Sequence, residues 1–165
     1  MESAAWGLLG TIVGAIASIG TSFISTRNTL NLQNNAHALE RIERARAFQR
    51  ENLLCVQESL QELIRLSSQA YSFYFQIYKK TNQWAKEPLE KEHDEKLRAS
   101  NQKLSALIVR IADEPLRLEL TKLHSEVTSI YLAFSQDEAE SARNFAVDSY
   151  IGVMEQLGNT LRKNY

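Results

Sequence analysis

The amino-acid sequence predicts an all-α chain: one N-terminal transmembrane helix, then an antiparallel bundle of about four helices whose first member is long. Three observations carry this. Residues 3–26 hold no charged side chain. Four of the six glycines (Gly7, Gly10, Gly14, Gly20) precede residue 21, and with only two prolines the rest of the chain lacks the punctuation of a many-turned β fold. Beyond residue 38 apolar side chains recur at alternate steps of three and four, the period of a helix face.

The uncharged run is 24 residues long, close to the ~20 that cross ~30 Å of hydrocarbon. Its Gly, Ser and Thr interruptions are tolerable in lipid because a hydroxyl can bond back to the preceding helical turn. Glu2 precedes the run, whereas Arg27, Arg41, Arg44, Arg46 and Arg50 follow it, so the positive-inside bias places the bulk of the chain in the cytoplasm. A secretory signal would need a basic leading segment and a shorter apolar stretch. Within the run Gly7, Gly10, Gly14, Ala17 and Thr21 share one face, and such a small-residue stripe is expected to serve as a transmembrane helix contact between copies.

Residues 27–38 are rich in amides and poor in good helix formers, and read as a juxtamembrane hinge or a loosely held juxtamembrane helix before a helical domain at 39–165. Leu39, Ile42, Leu53, Val56, Leu60, Leu63, Ala70, Tyr74 and Ile77 then form one stripe. A helix over 39–80 would extend ~63 Å, against ~36 Å for 89–112, so it either kinks or packs its first half against a copy of itself. Glu87 and Pro88 interrupt the pattern, and Leu89, Leu97, Leu104, Leu107, Ile108 and Ile111 mark a second helix. Asp113 caps a third, with Pro115 in its first turn and Leu116, Leu120, Leu123, Val127, Ile130, Tyr131 and Phe134 inward. Ser135 and Glu138 have capping-box spacing ahead of a fourth, with Ala139, Ala142, Phe145, Ala146, Tyr150, Val153, Leu157 and Leu161 inward. Short connections make the four antiparallel neighbours.

At 165 residues and a formal charge of -1 the chain carries no global basic field, which argues against DNA as a partner. Cys55 is the only cysteine, so no intramolecular disulfide forms. There is no phosphate loop, nucleophile elbow, HExxH or cysteine pair, so neither enzyme nor cofactor is expected. His37, His93 and His124 fall in different elements and predict no metal site. Alternating helix directions bring Arg44, Arg46, Arg50, Arg110, Arg117, Arg162 and Lys163 to one end, where they would touch anionic headgroups of the lipid bilayer or, around an oligomer axis, enclose an anionic ligand. Lys79, Lys80, Trp84 and Lys86 at the far end form a second-choice site, the indole being able to stack on a base.

One N-terminal span, a cytosolic helical domain and no enzyme motif together resemble the membrane-anchored effectors of type III CRISPR defence. The resemblance implies a tetramer-like homo-oligomer in the bacterial inner membrane, N-terminus outside, binding a cyclic oligoadenylate such as cyclic tetra-adenylate and disrupting the membrane in antiviral defence. The alternative expected from the residues alone is a passive anchor or scaffold that holds a protein partner.

Overall fold

The computed structural model describes the backbone of residues 2–165, and the surroundings of residue 14 and of residues 18–165. It contains four α-helices: α1 (Glu2–Thr81), α2 (Lys91–Ile108), α3 (Glu114–Leu132) and α4 (Gln136–Lys163). The chain divides into two compact units, Met1–Ala45 and Arg46–Tyr165.

In the first unit the described side chains from Ser18 to Ala45 are all exposed. Among the described residues, no helix is long and apolar enough to cross a membrane. The transmembrane helix expected at 3–26, and with it the single-pass placement in the inner membrane, is corrected for the described part of the run, residue 14 and residues 18–26, which supports no span; residues 3–13 and 15–17 lie outside the described surroundings. Absence of charge is a weaker condition than sustained apolarity. Where the run is described, Ser18, Thr21, Ser22 and Ser25 are interspersed with Ile19, Phe23 and Ile24, so hydroxyls dilute its apolarity. Of the small-residue stripe, Gly7, Gly10 and Ala17 lie outside the described surroundings; a Cβ built at Gly14 meets nothing within 4 Å, and Thr21 is exposed. Residues 27–38, read as a hinge or a loosely held helix, are helical. Its local bonds include Thr29 Oγ1 donating to the Ser25 carbonyl at 2.9 Å and the Arg27 guanidinium 5.6 Å from the Phe23 ring centre.

The second unit, Arg46–Tyr165, is the antiparallel bundle. Leu53, Val56, Leu60 and Leu63 of α1 meet Leu97 and Leu104 of α2, Leu116, Leu120 and Leu123 of α3, and Val153 and Leu157 of α4 in one buried cluster. The stripe begins its burial there; upstream, Leu39 and Ile42 are 65% and 49% exposed. Polar ties fix the register. The Asn52 side-chain amide donates to the Leu107 carbonyl at 3.1 Å. Gln49 donates to the Arg110 carbonyl at 3.0 Å and accepts from the Ala112 amide at 3.1 Å, so an α1 side chain braces the α2–α3 turn.

Both expected caps form. Asp113 accepts from the Leu116 amide at 3.0 Å, with Pro115 in the first turn of α3. Ser135 accepts from the Glu138 amide at 3.2 Å, while the Glu138 carboxylate accepts from the Phe134 amide at 3.0 Å. Besides Leu39 and Ile42, two more apolar residues expected inside lie outside: Phe134 falls in the α3–α4 turn at 92% exposure, and Phe145 is 49% exposed on α4.

Candidate functional site

The alternation of helix directions gathers most of the expected basic cluster at one end of the bundle, and the structure gives several of these cations internal partners. Arg50, half-buried, donates to the Asn164 carbonyl and covers the Tyr165 ring at 5.2 Å. It thereby closes the C-terminus of α4, where carbonyls lack intrahelical donors and the helix dipole favours a cation. Arg117 donates to the Ile111 carbonyl at 3.2 Å and pairs with Glu114. Arg162 donates to the Asn159 side chain at 2.5 Å. Arg46, Arg110 and Lys163 are exposed. Arg44 belongs to the first unit, where it pairs with Glu40 at 2.5 Å.

The far end holds an aromatic cluster. Trp84 sits in the α1–α2 loop with its ring centre 5.7 Å from Tyr71, 5.8 Å from Tyr74 and 6.2 Å from Tyr78, and its Nε1–H donates to the Ala133 carbonyl at 3.1 Å. That position follows from two left-handed residues: Asn82 (φ 53°), whose amide returns to the Tyr78 carbonyl at 2.7 Å to end α1, and Ala85 (φ 48°). The indole expected to stack on a base is thus held against three tyrosines. Lys79 covers the Phe75 ring at 4.5 Å, and Lys80 and Lys86 are exposed.

The histidines are dispersed among the helices. His93 Nε2 lies 3.1 Å from the Leu66 carbonyl. His124 Nε2 lies 2.6 Å from Asn101 Oδ1, which also accepts from Thr128 at 3.0 Å. Burial of His124 pushes its pKa below the usual imidazole value, the bond to Asn101 opposing. Burial likewise raises Tyr74 and Tyr131. Among the described residues no group of His, Cys, Asp or Glu side chains converges as metal ligands would.

A different feature has the form of a binding site. Between α1 and α4 runs a groove of about 490 Å³, within the size range of small-molecule sites. Its apolar wall is made by Ile64 of α1, Val127 and Ile130 of α3, and Ala146 and Ile151 of α4. α4 turns Ala139, Ala142 and Ala146 inward over its first half, opposite Ile64 of α1 and Val127 and Ile130 of α3. Methyl groups cannot fill the space between α1 and α4 there. Val147 and Ile151 remain 61% and 74% exposed along the lip.

Two guanidinium groups border the groove, Arg65 from α1 and Arg143 from α4. Arg65 grips Glu62 with two bonds of 2.9 and 2.6 Å; the bond holds the Glu62 carboxyl below the usual carboxylate range and raises Arg65. Arg143 lies 5.2 Å from the Tyr71 ring centre. Stripe reading missed these residues because it looks for inward positions. The available signal was the apolar surplus off the stripe at Val147 and Ile151, beside a run of inward alanines. No protein-family model, curated protein or solved structure matches the chain, so the resemblance to CRISPR defence effectors gains no relative to rest on.

Proposed function

We propose that the chain is a non-enzymatic binding protein whose α1/α4 groove receives the apolar part of a ligand. The observation that carries this reading is the 490 Å³ groove itself, with aliphatic walls from three helices and Val147 and Ile151 uncovered at its lip. Concave apolar sites with a few fixed polar groups are where small ligands bind, and uncovered aliphatic side chains beside a cavity gain by being shielded from water.

Saturable fluorescence enhancement of an anilinonaphthalene sulfonate dye by the full chain tests the reading. Val147→Glu and Ile151→Glu, both at exposed positions, are expected to weaken dye binding by about tenfold, since each puts a carboxylate on the apolar lip. Saturable binding indifferent to both substitutions would remove the groove as the site.

A second reading keeps a polyanion at the basic end. Arg110 and Lys163 carry no acidic partner among the described residues, and copies of them in a homo-oligomer would gather around a cyclic oligoadenylate. Isothermal titration of the full chain with cyclic tetra-adenylate decides it: heat that disappears in an Arg110→Glu, Lys163→Glu variant supports the reading, and absence of heat excludes it.

A further inference from the structure

Resting on the groove reading above, we propose that its ligand is an anionic amphiphile: an alkyl or fused-ring body lies against Ile64, Val127, Ile130 and Ile151, and a single acid group sits on the Arg143 guanidinium. Charge and hydrogen bonding on the two lips carry the assignment. No carboxylate is among the groove's lining residues. Arg65, although cationic, has its fork occupied by Glu62. Arg143 has no acidic partner and donates no side-chain hydrogen bond among the described residues; its guanidinium lies over the Tyr71 ring, 5.2 Å away. That contact orients the guanidinium plane without using its N–H edges. A planar fork with unused donors, beside an apolar cavity, matches the two oxygens of a carboxylate or sulfonate in bidentate fashion.

The arrangement also limits the ligand. One unoccupied guanidinium complements one acid group; a polyphosphate would leave charge unmatched against the aliphatic wall. The half-buried Tyr150 and the exposed Gln61 and Ser68 supply polar groups at the rim that need no charge on the ligand. A cavity of this size takes a medium-length chain or a small ring system, whereas an amphipathic partner helix would need a trough several turns long.

Competition for the bound dye, with the full chain and all amphiphiles below their micellar concentrations, tests this. Dodecanoate is expected to displace the dye at a concentration at least about tenfold below that of dodecanol, which has the same chain without the charge. Arg143→Gln, at an exposed position, should erase the difference, while Arg143→Lys should keep part of it and Arg65→Gln most of it. Equal displacement by acid and alcohol, or a preference untouched by Arg143→Gln, overturns the head-group assignment and leaves the groove standing. Failure of both compounds to displace the dye overturns the groove reading as well. An acidic amphipathic peptide that displaces the dye where dodecanoate does not would replace the small amphiphile with a protein segment.

Discussion

Ala85 has a side chain in a conformation that favours glycine. Its φ of 48° brings Cβ close to the following carbonyl, a clash worth about 1–2 kcal/mol in the left-handed region. Ala85→Gly is expected to raise stability by about 1 kcal/mol in urea unfolding, part of the relief being offset by the freer unfolded chain; a loss of stability would show that the methyl packs usefully. At His124 the effect is one of pH. Its folded-state pKa lies below the ordinary imidazole value of 6.5 because burial disfavours the charged ring. Below that value the unfolded chain takes up a proton that the folded chain resists, so the contribution is complete above about pH 6.5 and declines as pH falls. Urea midpoints measured at about pH 7.5 and about pH 5.5 should therefore fall more for the native chain than for His124→Gln, whose amide does not titrate. Equal falls would mean that the pH dependence arises elsewhere.

Helix boundaries follow from a few named side chains. Asp113 and Ser135 were legible as caps because capping chemistry is local: an oxygen within three residues of an orphan amide has no competitor. Asp113→Ala is expected to cost about 1 kcal/mol, read as a lower urea midpoint, while Asp113→Asn should cost less. Inward stripes were legible for the same reason wherever each helix had a neighbour on that face. Phe134 and Phe145 escaped because step counting does not register where a helix stops or how wide its covered arc is: Phe134 lies past the last turn of α3, and Phe145 lies beside the buried Ala146. The groove was invisible to any single stripe, being a property of three helices together, of alanines on one opposite aliphatic side chains on the others. A sequence does not show that the backbone carbonyls closing α4 and following α2 take up Arg50 and Arg117 at the basic end.

For the molecule as a whole, the division at Ala45 and Arg46 has a measurable counterpart. The buried apolar cluster begins at Leu53, and the polar ties described above that fix the register come from Gln49 and Asn52. A chain comprising residues 46–165 is expected to unfold as one cooperative unit with an unchanged urea midpoint and slope, since the slope follows the surface exposed on unfolding. A markedly lower midpoint would show that the first unit supports the bundle. Of the charge-free run at 3–26, the described part from Ser18 onward mixes serines and threonines with isoleucines, and no described helix is apolar enough to cross a membrane.

The placement of Trp84 makes the protein its own optical probe. The chain has two tryptophans, Trp6 and Trp84, so Trp6→Phe leaves a single indole emitter with three tyrosines within energy-transfer range. One of those rings, Tyr71, also lies under Arg143 at the edge of the groove. Emission from Trp84 would therefore report both detachment of its loop and a change in the field around Arg143, giving a label-free signal for compounds that the dye itself would obscure.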